Sequence, residues 1–455
     1  MSSDVRLLKL SDICTDVSYG YTESAIDEAV GPKFLRITDI QGGEVNWKNV
    51  PYCSIDEEKV AKYLLEHGDI VVARTGNSTG ENYAYKGNEQ TVFASYLIRF
   101  RIDRLKANPF FIWYQMRSRR WWDFVESSKS GSAQAGANAK VLGAFEVNLP
   151  SLSLQNEIVR FLESIDNKIQ LNRQTNQTLE QIAQALFKSW FVDFEPVKAK
   201  MVAKQAGVNA EQIEHAALCA ISGKTPEQLA QLDPQTLQQL KTTAALFPDA
   251  LVDSELGEIP EGWEITVLGE LLEFNPKRTL KSGTLAPYLD MKNVPTQGHL
   301  ADEVLLREMA SGTKFINGDT LLARITPCLE NGKTAYVDFL EKEQVGWGST
   351  EYIVMRPKNG RPTSLGYMIA RLDSFRAKAI QTMTGTSGRQ RASSQALAEQ
   401  AWVDYPIELL NIYDLVAGRY LDKAKINGDE NKVLSELRDS LLPKLLSGEI
   451  KLSNF

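Results

Sequence analysis

Polar side chains that could hydrogen-bond to the edges of nucleotide bases are concentrated in loops that occur in both halves of the chain. In each half, one loop follows an apolar stretch ending in Ala-Arg, and a second loop rich in Gly, Ser, Thr and Gln lies further along. Arg suits guanine, Asn and Gln suit adenine, and small residues allow close backbone approach. The candidate residues of the first half are Arg74, Thr75, Asn77, Ser78, Thr79, Ser132, Gln134, Asn138 and Lys140. Those of the second half are Arg324, Thr326, Asn331, Lys333, Thr386, Ser387, Arg389, Gln390 and Arg391.

Each of these side chains also has a structural interpretation. A solvent-exposed turn or a strand-end salt bridge explains the same residue types. Arg74 and Arg324 in particular occupy repeated positions, so they could brace the fold instead of contacting a ligand. Both interpretations are left open by the sequence.

Motifs for catalysis or metal binding are not found. The Gly-Lys-Thr tripeptides at 223–225 and 332–334 lack the glycine five positions earlier that a phosphate-binding loop requires. The segment Asn275-Pro276-Lys277 lacks the second proline and the aromatic residue of an adenine methyltransferase motif. The histidines have neither triad nor metal-ligand spacing, and they are His67, His215 and His299. We therefore predict a chain that is not an enzyme by itself and that binds no cofactor.

An internal repeat organises the chain. Residues 66–75 align with 316–325 through a Gly-Asp turn, an apolar strand and the Ala-Arg exit, and residues 34–40 align with 288–294. Further along, three positions match at one constant offset of 256: Gln134 with Gln390, Val147 with Val403, and Pro150 with Pro406. The repeat predicts two equivalent heads.

Each copy ends in a long amphipathic helix with a heptad seam. The first seam consists of Ile158, Leu162, Ile165, Ile169, Asn172, Asn176, Leu179, Ala183, Leu186 and Trp190. At an offset of 255 the second reads Tyr413, Ala417, Tyr420, Ala424, Asn427, Asn431, Leu434, Arg438, Leu441 and Leu445. Both place two asparagines mid-seam, where amides fix register by satisfying each other. At about 1.5 Å per residue, each seam is roughly 50 Å long. The alternative is a surface helix that tolerates a polar patch.

The domain organisation follows from these elements. We predict an α+β protein with a pseudo-two-fold internal repeat, in which two mixed α/β heads are joined by two long antiparallel coiled-coil helices. The predicted segments are a first head at 1–150, a first long helix at 151–196, a helical insertion or linker at 197–250, a second head at 251–406 and a second long helix at 407–455. Within them we expect one helix over 109–127, two or three short helices over 197–247, and a last helix over 411–446 with interruptions near Gly428 and Pro443.

Composition and charge restrict the class of protein. The 455 residues are 43% hydrophobic and 24% charged, as in ordinary globular proteins, and the four cysteines lack metal-like spacing. With no signal segment or membrane span in the sequence, we expect a cytoplasmic protein. The net charge is −7, yet residues 99–120 and 371–391 are basic. We interpret these two stretches either as solvated faces or as a phosphate-contacting surface.

Four motifs give the chain a resemblance to a known family. They are Leu149-Pro150 followed by Leu154-Gln155-Asn156-Glu157-Ile158, the helix end at 186–194, the Gly257-Glu258-Ile259-Pro260-Glu261-Gly262-Trp263 segment, and the C-terminal stretch at 437–450. Together they resemble the specificity subunit of type I restriction-modification enzymes. The resemblance covers nearly the whole chain, and the departure from it is the helical segment at 197–250, which is longer than the common connection.

The resemblance implies that each head is a target recognition domain reading one half of a bipartite, asymmetric site in double-stranded DNA. The helices would set the spacer and dock two methyltransferase subunits, and restriction or translocase subunits would complete the complex without any membrane partner. S-adenosylmethionine and ATP with Mg²⁺ would be bound by those partners. The alternatives are a specificity subunit of a methylation-only or other phage-defence complex, and an adaptor whose heads bind protein.

Overall fold

The computed structural model describes residues 6–87, 89–129, 137–386 and 388–450, with only the backbone of Lys129. The chain divides into two compact units. The first unit comprises Met1–Ile169 together with Lys432–Phe455, and the second comprises Gln170–Asn431. Within the described ranges, no helix has the length and apolar character needed to cross a membrane.

The described part of the first unit contains three small sheets. A four-stranded antiparallel sheet has the order β2-β7-β4-β5, β3 pairs with β6 in parallel, and β1 pairs with β8 antiparallel. The strands are β1 (Arg6–Lys9), β2 (Cys14–Tyr19), β3 (Lys33–Leu35), β4 (Ile70–Ala73), β5 (Asn82–Ala84), β6 (Thr91–Phe93), β7 (Leu97–Ile102) and β8 (Glu146–Leu149). The helices are α1 (Glu57–Tyr63), α2 (Pro109–Gln115), α3 (Arg119–Lys129), α4 (Ala139–Leu142) and the start of α5 (Leu152–Phe191). The single helix expected over 109–127 is therefore wrong, because the chain turns between α2 and α3.

The second unit repeats this framework with additions. Its antiparallel sheet β12-β19-β16-β17 has the order of β2-β7-β4-β5, and β13 again pairs in parallel with β18. Strands β14 and β15 extend the latter sheet. The strands are β9 (Leu251–Ser254), β10 (Gly257–Pro260), β11 (Glu264–Val267), β12 (Leu272–Phe274), β13 (Leu285–Leu289), β14 (Leu305–Glu308), β15 (Thr313–Phe315), β16 (Thr320–Ala323), β17 (Thr334–Tyr336), β18 (Gly346–Gly348), β19 (Tyr352–Pro357) and β20 (Ala401–Asp404). The helices are α6 (Glu195–Gln205), α7 (Ala210–Ser222), α8 (Pro226–Leu229), α9 (Pro234–Ala245), α10 (Leu268–Leu271), α11 (Ser364–Arg371), α12 (Asp373–Gln381), α13 (Ser394–Ala398) and α14 (Ile407–Ser447).

The seams of α5 and α14 are buried where the two helices pack on each other. In the first unit, Ile158 and Leu162 of α5 share a core with Leu445 of α14. In the second unit, the Tyr413 hydroxyl of α14 donates to the Ala183 carbonyl of α5 over 2.8 Å. The fold class predicted from the repeat and the seams, with two mixed heads and two long antiparallel helices, is confirmed.

The last helix is continuous, so the predicted interruptions are wrong. Gly428 lies inside α14, where an added Cβ would come within 2.7 Å of Leu300 Cδ1. The cost of a helical glycine is thus offset by the close approach of a packed side chain. Pro443 lies near the end of the helix, and Leu442 and Leu445 on either side of it are buried in the core of the first unit. Packing holds these last turns together although proline removes one backbone hydrogen bond.

The segment between α5 and β9 forms four short helices, α6 to α9, where two or three were expected. Their apolar side chains Val197, Leu218 and Phe247 are buried in the same core as Trp190 at the end of α5. The Lys200 ammonium donates to the Phe247 carbonyl over 2.5 Å, and burial lowers the pKa of Lys200. This segment is therefore packed into the second unit instead of running freely between the predicted heads.

Candidate nucleic-acid interface

Arg74 leaves strand β4 with a fixed backbone. Its N–H donates to the Tyr96 carbonyl over 3.1 Å, and its carbonyl accepts from the Ala137 N–H over 2.9 Å. The first bond ties the strand exit to the turn before β7, and the second ties it to the end of the Gly/Ser/Gln-rich loop. The two candidate loops of the first unit are thus neighbours at this arginine.

The Arg74 side chain is oriented by two contacts. Nε donates to the Ser95 carbonyl over 3.0 Å, and the guanidinium lies 5.0 Å from the centre of the Tyr19 ring. Within the described ranges no acceptor is recorded for its two terminal nitrogens. A guanidinium held at Nε and on one face, with both terminal nitrogens available, suits paired donation to a planar acceptor such as a guanine edge.

The loop after Arg74 divides into buried and accessible residues. Thr79 is fully buried, and its hydroxyl donates to the Gly76 carbonyl over 2.7 Å, so this side chain stabilises the turn. Asn77 is exposed, and Thr75 and Ser78 are half-buried. Ser78 and Asn77 stand on a short 3-10 turn that spans Gly76–Ser78.

In the second loop of the first unit, Ser132 and Gln134 lie outside the described residues. Asn138 is exposed, but its Oδ1 accepts from the Val141 N–H over 3.0 Å and caps α4. Lys140 is exposed on the same short helix. Asn138 therefore has a structural task in addition to any contact it makes.

Arg324 of the second unit repeats the backbone arrangement of Arg74. Its N–H donates to the Glu351 carbonyl over 2.9 Å, and its carbonyl accepts from the Ala392 N–H over 2.8 Å. The side chain differs, since the buried Nε of Arg324 has no hydrogen-bond partner among the described residues. The loops around it are joined directly, because the Thr326 N–H donates to the Gln390 carbonyl over 3.1 Å and the Gln390 N–H donates to Thr326 Oγ1 over 3.2 Å.

Two cations of the second unit are held by neighbouring groups. Lys333 Nζ donates to the Met291 carbonyl over 2.7 Å, and Arg391 makes a two-pronged ion pair with Glu351, with a closest distance of 2.6 Å. Asn331 is exposed. The bonds of Lys333 and Arg391 brace the loops, as the structural interpretation of these residues anticipates.

Two further candidates of the second unit, Thr386 and Arg389, lie in the second loop. Thr386 and Arg389 are exposed, and the Arg389 N–H donates to the Thr386 carbonyl over 3.0 Å. Ser387 lies outside the described residues. Arg389 is thus an exposed cation in this loop, and its backbone is fixed by a turn.

Three side chains beside these loops were missed from the sequence. Tyr19 underlies Arg74, Tyr96 is 58% exposed at the adjoining turn, and the Gln41 amide donates to Ser78 Oγ over 3.2 Å. They come from β2, the turn before β7, and the segment after β3. Only tertiary pairing brings these distant segments together, so no local motif indicates them.

Part of the basic stretch at 99–120 is neutralised within the fold, and a phosphate-contacting role for its remaining cations stays a prediction. Arg99 is buried and pairs with Asp16 at 2.7 Å, while Arg101 pairs with Asp69 at 2.7 Å. Arginines two residues apart on a strand share one face, and here that face meets acidic side chains. Arg119 of the same stretch is 93% exposed.

No group of three or more His, Cys, Asp or Glu side chains that could hold a metal ion occurs in the described part of the chain. The interface described above is built from hydrogen-bond donors and acceptors on loops. Such a set can recognise a polar surface, and it contains no arranged nucleophile and base.

Comparison with known proteins identifies relatives of the chain. Residues 4–181 match the family model of the type I restriction modification DNA specificity domain. The type I restriction enzyme HindI specificity subunit of Haemophilus influenzae is 27% identical over 98% of this chain and 100% of its own length. The EcoAI specificity subunit of Escherichia coli is 31% identical over 32% of this chain and 26% of its own length.

A solved structure has a similar fold. The S subunit of a type I restriction-modification system from M. genitalium aligns with a TM-score of 0.51, covering 98% of this chain and 96% of its own, at 14% identity. The fold, the domain match and the full-length relative agree with the motifs found in the sequence. The chain matches the specificity-domain model over residues 4–181, and it is similar over nearly its whole length to type I restriction enzyme specificity subunits.

Proposed function

We propose that this chain gives a type I restriction-modification complex its DNA sequence specificity, with each head reading one half of a bipartite, asymmetric site. The observation that carries the proposal is the common frame of Arg74 and Arg324. Both arginines leave a buried strand, and both have their backbones fixed by equivalent bonds to a turn and to a second loop. A rigid frame that presents a variable loop is how recognition residues are usually displayed.

The surroundings of the two arginines differ, as reading different sequences requires. In the first unit Tyr96 stands at the adjoining turn, whereas the second unit has Glu351 there, paired with Arg391. An exposed tyrosine offers a ring for packing and a hydroxyl, while a carboxylate beside an arginine offers an acceptor and donors. These are different chemical surfaces on one framework, so each head would accept different base pairs.

The rest of the complex would supply the chemistry. The chain itself has no catalytic role in this proposal, and α5 and α14 would set the spacer between half-sites and dock two modification subunits. Those subunits would bind S-adenosylmethionine, and restriction or translocase subunits would use ATP with Mg²⁺. The net charge of −7 fits a chain whose partners provide much of the phosphate-neutralising charge.

Footprinting of the purified complex of this chain with its modification subunits tests the proposal. We expect two short protected patches separated by an unprotected gap, on a sequence selected from a random duplex pool. The matched variant is the complex that carries Arg74→Ala and Arg324→Ala. It should lose its preference for the selected sequence and keep salt-sensitive binding to DNA. Binding without any sequence preference would support a protein-binding adaptor and refute the proposal. Methylation without cleavage, after all partners are added, would identify a methylation-only complex.

A further inference from the structure

Arg371, the last residue of α11, lies buried between two loops of the second unit. Nη1 donates to the carbonyls of Thr296 and Gly332, both over 2.9 Å. Nη2 donates to the carbonyl of Thr334 over 3.1 Å and to that of Gly298. The side chain is 7% exposed. One guanidinium thus satisfies four backbone acceptors in the segments 296–298 and 332–334.

The same arginine is connected to helix α5. Its Nε donates to the Tyr367 hydroxyl over 2.9 Å, and that hydroxyl donates to Glu180 Oε1. Glu180 is 10% exposed, and its Oε1 lies 3.6 Å from Arg371 Nε. Burial raises the pKa of Tyr367 well above its ordinary value, so the phenol keeps the proton that it donates. The chain of bonds therefore runs from α5 through Tyr367 and Arg371 to the loops.

The bonded carbonyls stand at the end of a candidate recognition loop. Gly332 and Thr334 flank Lys333, at the end of the loop that begins at Arg324 and exposes Asn331. Gly332 has a positive φ of 73°, and an added Cβ there would come within 2.7 Å of Arg376 Nη1. The positive φ favours glycine at this position, and the Gly332 carbonyl is held by Arg371.

The first unit anchors the corresponding point in another way. There the Gly80 carbonyl, at the end of the loop after Arg74, accepts from Trp121 Nε1 over 2.9 Å and from Asn82 Nδ2 over 3.0 Å. Neither donor is an ion, and neither is bonded to a long helix in the described structure. Among the described residues, an arginine that bonds to the loop carbonyls and also contacts α5 is found at the 324–333 loop. In the first unit Arg117 pairs with Asp166 of α5 at 3.6 Å, but no hydrogen bond joins it to the loop after Arg74 in the described structure.

We propose that Arg371 is a positioning residue for DNA recognition by the second unit. It holds the end of the 324–333 loop against α5 through Tyr367 and Glu180, and the bases that this loop accepts depend on that link. The inference rests on the function proposed above. A lysine could not replace the arginine, because one ammonium has three donors and lacks the planar fork that reaches both loops.

The test compares methylation rates of the assembled complex on its target duplex and on duplexes with one mismatched base pair in either half. The variants are Arg371→Gln, Arg371→Lys and the milder Tyr367→Phe. The matched control is Arg361→Gln, since Arg361 is 11% exposed and pairs with Asp404 at 2.7 Å in the same unit but is bonded to neither loop. Arg74→Ala shows which half-site the first unit reads, because this variant should weaken discrimination against mismatches in that half-site.

We expect Arg371→Gln to lower discrimination in the second unit's half-site by roughly tenfold, the usual range for one base pair. Discrimination in the first unit's half-site should stay within about twofold. Arg371→Lys should not restore discrimination, and Tyr367→Phe should lower it by about threefold. Arg361→Gln should lower the stability of the protein and leave discrimination in both half-sites unchanged.

A fall in the total methylation rate with unchanged discrimination would show a merely structural role and overturn the inference. An equal loss of discrimination in both half-sites would overturn it as well. If Arg371→Gln does not fold, Tyr367→Phe decides, and normal discrimination by that variant overturns the inference. A wild-type complex without sequence preference would refute the proposed function as well. A selective wild-type complex with insensitive variants would refute the positioning role only.

Discussion

Asn172 of α5 and Asn431 of α14 share a hydrogen bond of 2.9 Å, in which Nδ2 of Asn172 donates to Oδ1 of Asn431. One turn further, Asn427 Nδ2 donates to Asn176 Oδ1 over 2.8 Å. These are the four asparagines that the heptad seams place together. A shifted register would leave buried amides without partners, so this layer favours one alignment of the helices.

Asn172→Leu should lower the free energy of unfolding by about 1–3 kcal/mol, because it removes the amide that donates to Asn431 Oδ1 in a buried layer. Gln174→Leu is the matched control, since Gln174 is exposed on the same helix. Urea unfolding followed by circular dichroism measures both. Equal midpoints for the two variants would contradict a register role.

Arg438→Met should destabilise the first unit. Arg438 Nη1 lies 2.7 Å from Asp166 Oδ1, both side chains are about one-sixth exposed at 16% and 17%, and Asp166 Oδ2 accepts from the Tyr114 hydroxyl. Removing this cation leaves a largely buried carboxylate with the Tyr114 hydroxyl and the longer contact to Arg117 Nη1 at 3.6 Å, which should cost about 1–3 kcal/mol after allowance for partial solvation. Arg438→Met should cost less in an Asp166→Leu background, because Arg438 then has no carboxylate at position 166 with which to pair. Additive losses in a double-mutant cycle would show that the pair is not coupled.

Phe247→Ala tests whether the helical segment after α5 is part of the core of the second unit. Phe247 is 2% exposed, and its ring centre lies 5.8 Å from that of Trp190. The cavity should cost about 3–5 kcal/mol. Val202→Ala in α6 is the control, because Val202 is 67% exposed and should change stability by less than about 0.5 kcal/mol. A thermal melt in which both variants match the wild type would mean that the segment is a dispensable linker.

The features that the sequence predicted correctly are those with a local periodic pattern. The heptads place Leu162 and Asn172 on buried faces, and the repeated Ala-Arg exits locate Arg74 and Arg324 after strands. Periodic patterns depend on neighbours a few residues away, so one sequence suffices to read them.

Features made by distant segments could not be predicted. Tyr19 beneath Arg74, and Glu180 beside Arg371, lie 55 and 191 residues from their partners in the chain. The same limit applies to two arginines of the basic stretch at 99–120, because Asp16 and Asp69 neutralise Arg99 and Arg101 only after the sheet has formed. The close approach at Gly428 of α14 likewise involves Leu300, a residue of another segment.

Lengthening both long helices by one heptad, after Ile169 and after Asn431, tests their proposed role in setting the spacer. Seven residues add about 10 Å to each helix and preserve the seam. At 3.4 Å per base pair, we expect the recognised spacer to grow by about 3 base pairs with unchanged half-sites. The same insertion in one helix alone should prevent proper pairing and serves as the control. An unchanged spacer in the folded double insertion would refute the role.

Arg74→Lys separates a base-reading arginine from a general cation. Lysine keeps the charge but lacks the planar fork, so discrimination at one guanine-containing position should fall by about 1–3 kcal/mol while overall affinity changes little. Competition binding between the target duplex and single-position variants measures the change. Full retention of discrimination by the lysine variant would mean that Arg74 contacts phosphate or only braces the fold.

The most direct test of the central claim is to map methylated adenines in the DNA of cells that produce this chain with its modification subunits. The wild type should yield one split motif. Arg74→Ala should relax a position in one half only, and Arg324→Ala should relax a position in the other half only. A contiguous motif, no motif at all, or two substitutions that relax the same half would contradict the claim that two heads read two half-sites.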